Sequence, residues 1–380
     1  MKRIIYILFI FSILILIVSI LIKPFVLFIA KRQLGRLFIE SRVSIRDCDL
    51  KSLHLLTFSD IEINKGKIYD FKIKDINIQY KPLSILKRNI PNISLKDAVI
   101  TVYLPQESML EISQRLNPGT GNVFLVQRLE LVNMNLDLKL KDLNLQAKVS
   151  LGLSLTGRLI NYLDLEIGFL DSQGFHLEDA NLKFSQKEDS GELYVNKLKY
   201  GKLKIEEIKS KARLKEEVLF LDSLSAKVLE GQLKGDLSFR IDQEREYLAN
   251  LEFVNLNLAK FVDDFNLDKK FQVTGSLSGA VAFNGKGSDI NTLAGDFSAA
   301  ESGGIMVIKD NSILENLARN SKQPLDILVE SFRDYHYNTG IMKLSLDKGN
   351  LVLDIALDGE TGKRNLNITL HDFRLKREGL

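Results

Sequence analysis

The stretch VLFLDSLSAKVLEGQLKGDLSFRI, residues 218–241, sets an apolar side chain at nearly every second position, with Ser, Lys, Gln or Asp mostly between them. A period of two is that of a β-strand with one greasy and one wettable face. Leu224, Ala226 and Val228 share one phase. After Glu230-Gly231, Leu233, Leu237, Phe239 and Ile241 take the other, so a hairpin there keeps a single apolar face. Nothing in the stretch can cut, transfer or ligate, and its product is a surface.

The same pattern fills the chain from about Val43 onward. SDIEINKGKIYDFKIKDINIQY (59–80) alternates through Ile61 and Ile63, turns at Lys65-Gly66, and alternates again through Phe71, Ile73, Ile76 and Ile78. In MNLDLKLKDLNLQAKVSLGLSLTG (134–157) Met134, Leu136, Leu138 and Leu140 hold one phase. Leu143, Leu145, Ala147, Val149, Leu151, Leu153 and Leu155 hold the other, and the slip at Lys141-Asp142 requires a turn or bulge. Runs joined by such short turns predict an antiparallel meander. Helices are few: Leu258–Phe265 capped by Asn257, Ile313–Ala318 capped by Asn311 or Ser312, a helix from Pro324 through Phe332, and Met109–Leu116 capped by Ser108. The absence of regular helix–strand alternation argues against a doubly wound fold.

Composition agrees. Of 380 residues 45% are hydrophobic and 27% charged, which excludes wholesale disorder. The net charge is +3, with both signs interleaved and no basic stripe for nucleic acid. Cys48 is the only cysteine, so no internal disulfide or cysteine cluster can form.

The N-terminus carries a different signal. After Lys2 and Arg3, the run 4–22 is apolar apart from Ser12 and Ser19 and free of charge. About 20 helical residues cross a hydrocarbon core of about 30 Å. A cleaved signal peptide would be shorter and end on small residues. This run ends in Leu21, Ile22, Lys23 and Pro24, which predicts an uncleaved anchor through Ile4, Leu8, Ile13, Leu16 and Ile20. Positive charges flank both ends, and Lys23, Lys31, Arg32 and Arg36 outnumber Lys2 and Arg3, against export of the body by a raw count. An amphipathic helix over Pro24–Ser41 resolves this. It turns Phe25, Phe28, Ile29, Leu34, Leu37 and Phe38 toward lipid or core and its cations toward headgroups.

Catalytic and metal constellations are not legible. His54, His176, His336 and His371 lack metal-ligand spacing, and Gly285 and Gly287 read as hairpin glycines rather than a phosphate loop. No catalytic residue, metal ligand or cofactor is assigned.

YGKLKIEEIKSKARLKEEVLFLDSLSAKVLEGQLKGDLSFRI resembles the repeating unit of AsmA-like proteins, as do LLTFSDIEI, IKDINIQYKPLSIL, NISLKDAVITVYLP and VTGSLSGAVAFNGKGSDINTLAGDFSA. Residues 325–373 are similar to the C-terminal end of YdbH-like proteins, a region also labelled a dicarboxylate transport domain. The resemblance, to the bridge-like lipid-transfer superfamily that includes TamB, implies a mostly β fold. The fold would be an elongated, taco-like antiparallel β-trough with a few short helices and one N-terminal transmembrane helix. It divides the chain into an anchor with an amphipathic helix (1–41), the trough (42–300) and a C-terminal segment (301–380). It further implies phospholipids as partners and a single-pass place in the inner membrane of a diderm bacterium, body in the periplasm, conducting lipid between the membranes without catalysis. Alternatives are a structural or assembly factor with outer-membrane proteins as partners, and an accessory of small-solute (dicarboxylate) transport. Candidate groove-lining residues are one phase of each strand: Leu136, Leu138, Leu145, Val149, Leu153, Leu233, Leu237 and Phe239. The sequence leaves open whether that phase lines a groove or closes a dry core.

Overall fold

The computed structural model describes residues 23–36, 38, 40–52, 54–81, 89–103, 125–156, 159–172, 174–215, 217–242, 245–287, 289–321 and 324–370. The expected anchor, with Ile4, Leu8, Ile13, Leu16 and Ile20, lies outside them, as do Leu37, His371 and the helix expected at 109–116. Among the described residues, no helix is long and apolar enough to cross a membrane.

Twenty strands and four helices make up the described chain, which divides into two compact units, Met1–Ser172 with Ser185–Lys187, and Gln173–Phe184 with Glu188–Leu380. In the first, α1 (residues 23–36) precedes seven strands: β1 (Arg42–Ser52), β2 (Leu55–Asn64), β3 (Tyr69–Gln79), β4 (Asn89–Val102), β5 (Leu125–Leu140), β6 (Leu143–Ser154) and β7 (Leu159–Ser172). Each pairs with the next, and no pairing joins β1 to β7 among the described residues, so this sheet does not close.

One junction departs from the expected meander. β4 and β5 run parallel, Ile93 beside Leu129 and Ile100 beside Leu136. Parallel neighbours need a crossover of about a dozen residues or more. The interval from Val102 to Leu125 is long enough to supply one, whereas the two-residue turn at Lys141-Asp142 forces β5 and β6 antiparallel.

In the second unit β8 (Phe175–Ser185) lies beside β9 (Ser190–Tyr200), the Gly201 amide donating to the Gly174 carbonyl at 2.9 Å. The order continues antiparallel through β10 (Leu203–Lys215), β11 (Val218–Val228), β12 (Gly231–Arg240), β13 (Glu246–Asn257), β15 (Ser276–Lys286), β16 (Asp289–Ala299), β18 (Tyr335–Asp347), β19 (Asn350–Gly359) and β20 (Gly362–Leu370). Short β14 (Phe271–Val273) and β17 (Gly304–Ile308) extend from the start of β18.

The helices are α2 (Leu258–Asp264), α3 (Asn311–Ser321) and α4 (Leu325–Ser331). Asn257 caps α2 as expected, its side chain accepting from the Lys260 amide at 3.1 Å. For α3 the cap is Asp310 rather than Asn311 or Ser312. Its carboxylate accepts from the Ser312 amide at 2.9 Å, and the helix starts two residues earlier than expected. Leu314 of α3 and Leu328 of α4 pack with Met306, Phe332, Tyr335, Tyr337 and Leu357 into the core of this end.

Candidate functional site

A local device keeps one face of these sheets apolar. Seven strands carry two apolar residues three positions apart, with a polar residue third in the interval: Phe58-Ser-Asp60-Ile61, Leu95-Lys-Asp97-Ala98, Leu131-Val-Asn133-Met134, Leu177-Glu-Asp179-Ala180, Ile205-Glu-Glu207-Ile208, Leu221-Asp-Ser223-Leu224 and Phe253-Val-Asn255-Leu256. Asp60, Asp97, Asn133, Asp179, Glu207, Ser223 and Asn255 all adopt φ between 50° and 55°. Asp and Asn tolerate this left-handed region better than most residues. One left-handed residue per strand interrupts the ladder, with a bulge-type register shift at Asn133, Glu207, Ser223 and Asn255, and the apolar side chains on both sides of it stay on one face.

The polar residues freed by the bulges bond along the other face. Arg46 donates to Asp60 at 3.3 Å, Asn133 donates from Nδ2 to Asp97 at 3.2 Å, and the Asn133 amide donates to Ser150 Oγ at 3.1 Å. In the second unit Lys227 pairs with Glu207 at 2.6 Å, the Ser223 amide donates to Asp236 and the Asn255 amide to Ser278 Oγ, both at 2.9 Å. That face belongs to water.

The apolar face is sealed in some places and half-open in others. In the first unit Ile45, Phe58, Ile61, Ile63, Tyr69, Ile73, Ala98 and Met134 are buried, with Val26, Leu27, Ala30 and Leu34 of α1 packed on them. In the second, Ala226, Val228 and Leu233 form a small buried core. On β11 and β12 and their neighbours β13, β15, β16, β18 and β19 the face continues through Leu219, Leu221, Leu237, Phe239, Tyr247, Val281, Phe283, Leu293, Leu344 and Leu353, all only half-buried. Contiguous apolar surface left partly exposed is the kind that marks sites of protein, membrane or ligand contact.

The eight candidate lining residues fall on the apolar face of their own unit's sheet. Leu136 pairs with Ala147, Leu138 with Leu145, Met134 with Val149 and Leu129 with Leu153, which places all five first-unit candidates on the side of the buried cluster. Leu237 sits between Leu221 and Ala249, and Phe239 between Leu219 and Tyr247. Leu233 is nearly sealed at 6% exposure, while the other seven are half-buried. Ile241 leaves the face: it follows the end of β12 and is 55% exposed.

A cavity of about 700 Å³ opens between α1 and β1–β4. Its floor is Ile45, Cys48, Phe58 and Ile61, all buried, and its roof is Val26, Ile29, Ala30 and Leu34. The polar lining consists of Lys23, Gln33, Asp49 and Tyr80, of which Lys23, Gln33 and Asp49 are exposed and so stand at the mouth. Lys23 Nζ lies 2.7 Å from Asp47, and this hydrogen bond holds the carboxyl below and the ammonium above its ordinary range. Burial pushes the Cys48 thiol up, away from the reactive thiolate. The sequence pointed to α1 as amphipathic but not to the cavity, because β1–β4 supply its floor from residues distant along the chain.

Among the described residues no three His, Cys, Asp or Glu side chains converge to hold a metal ion. His176 contacts Glu178 at 2.7 Å and His336 contacts Asp334 at 3.1 Å, each a partner two residues away on the same strand or turn. Gly287 takes φ +61° in the turn between β15 and β16, and Gly285 pairs at the end of β15, as hairpin glycines should.

Residues 119–370 match the family model YdbH-like, described as intermembrane phospholipid transport protein YdbH. The chain belongs to the YdbH-like family. No curated protein and no solved structure matches it. The YdbH-like match takes in β5–β20 and α2–α4, and with them every candidate lining residue. The cavity under α1 lies wholly before it.

Proposed function

We propose that this YdbH-like chain carries phospholipid acyl chains on the apolar face of its sheets, between inner and outer membrane, anchored through residues 4–22. The half-buried run that includes Leu221, Leu237, Phe239, Val281 and Phe283 carries this reading, because it leaves apolar area for which no described residue supplies cover. Each buried CH₂ contributes about 0.8 kcal/mol, so a 16-carbon chain gains roughly 12 kcal/mol in a fully dry groove, enough to offset much of its loss from a bilayer. Headgroups stay at the wet edge. A lipid held by repeated Leu, Val and Phe contacts meets similar surface at each strand and moves without a deep trap. The reading needs no catalytic residue, and it places the body in the periplasm.

The test is purification in mild detergent, organic extraction and mass spectrometry. At least one phospholipid per chain is expected. A chain that purifies folded and lipid-free sinks the reading.

A further inference from the structure

We propose that the cavity beneath α1 is the loading seat for one acyl chain of a phospholipid still in the bilayer, which rests on the lipid-carrying reading above. Size comes first. A methylene occupies about as much room as a water, roughly 30 Å³, so a 16-carbon chain needs about 500 Å³. The cavity holds about 700 Å³. Left empty, its lining would lose contacts on one side. Water fills it poorly, because a buried water needs two to four polar partners and the inner lining is Ile45, Cys48, Phe58 and Ile61.

Position identifies the source of the chain. The uncharged apolar run 4–22 joins α1 at Lys23, which stands at the cavity mouth. On α1 itself Phe25 and Phe28 are 63% and 61% exposed, an apolar face turned away from the protein. Ile29, 41% exposed, belongs both to that face and to the cavity wall, so the opening adjoins the surface that would enter the bilayer. Lys31, Arg32 and Arg36 are exposed on the same helix, suited to an anionic headgroup layer. These features describe a helix lying in the interface above an apolar slot, with lateral entry for a lipid tail. A free fatty acid or detergent tail offers the same chemistry, and the bilayer-embedded phospholipid is favoured because the mouth adjoins the helix face that meets it.

The experiment uses the full chain reconstituted in phosphatidylethanolamine–phosphatidylglycerol vesicles that contain a phospholipid with a photoactivatable diazirine at one acyl terminus. After irradiation, adducts are mapped by peptide mass spectrometry. The wild type is expected to carry adducts on β1–β3 lining residues and on the β11–β13 face. Ile29→Glu sets a charge in the cavity wall at an exposed position. It lowers β1–β3 adducts by about tenfold or more, while probe added in detergent still labels β11–β13. Ala30→Phe, which fills the cavity with apolar volume, gives the same loss, and circular dichroism melts establish that each variant is folded. Cys48, the only cysteine and a lining residue, reports without any substitution: phospholipid slows its alkylation by a small apolar maleimide. Unlabelled β1–β3 beside labelled β11–β13, or undiminished labelling in folded variants, overturns the seat and leaves the lipid-carrying reading standing. Alkylation of Cys48 at equal rates with and without phospholipid counts against the seat in the same way. No labelling anywhere in the wild type overturns both.

Discussion

Aspartate at position 237 separates a lipid-facing surface from a dry core. Leu237 is half-buried, flanked by Leu221 and Ala249 on neighbouring strands. Full burial of a leucine is worth about 1.5–3 kcal/mol, so Leu237→Asp forfeits roughly 1 kcal/mol of packing, and its carboxylate stays hydrated if the face is open. The matched control is Ile61→Asp, at 1% exposure inside the cluster under α1. There the substitution loses about 2–5 kcal/mol to the cavity and adds several more for a charge with no partner. That sum rivals the whole stability of a domain, about 5–15 kcal/mol. Urea titration by far-UV circular dichroism reads stability, and extraction with mass spectrometry reads bound phospholipid. Leu237→Asp should remain folded within about 2 kcal/mol of the wild type and hold markedly less lipid, while Ile61→Asp fails to fold. If Leu237→Asp unfolds as Ile61→Asp does, or folds and keeps its full lipid complement, the open-face reasoning is wrong.

Three further outcomes follow from particular contacts. Asn133 adopts φ 54° at a bulge, so Asn133→Val should lose about 1–2 kcal/mol in urea titration while Asn133→Gly stays close to the wild type. The buried Tyr337 hydroxyl donates to the Thr274 carbonyl at 2.6 Å, and Tyr337→Phe should lower stability by about 1–2 kcal/mol, read as a fall in melting temperature. Glu178 is held below the ordinary glutamate range by hydrogen bonds from His176 and then Lys197. A depressed carboxyl stabilises the fold above its unfolded pKa and loses that contribution as pH falls through the folded one. The wild-type advantage over Glu178→Gln in urea midpoint should therefore be present at pH 7 and vanish on acidification through the carboxylate range, and a pH-independent gap would contradict this.

Much of this fold is visible in the residues one at a time. Alternation marks the strands, and Lys65-Gly66, Lys141-Asp142 and Glu230-Gly231 mark turns where the chain does reverse. The bulges are harder to see, because an interval such as Leu131-Val-Asn-Met134 looks like a broken phase until a left-handed Asn133 restores it. Read as a repeated spacing, apolar–x–(Asp, Asn, Glu or Ser)–apolar, the signal is present in the sequence. The parallel pairing of β4 and β5 is not, since strand pattern carries no direction and only the long interval before Leu125 hints at a crossover. The apolar face could be assigned residue by residue, as for Leu136, Val149 and Leu237. How far it is covered depends on where helices dock, and period-two patterning does not encode that.

Two positions three residues apart, on opposite faces of one strand, offer the most direct test. A photoreactive amino acid placed at Leu237 samples the half-buried apolar face, and one at Lys234 of the same strand samples the polar face. With the protein in its native membrane, irradiation should join phospholipid to position 237 and not to position 234. Cross-links from 237 that reach only other parts of the chain, or equal lipid adducts from both positions, would contradict the account.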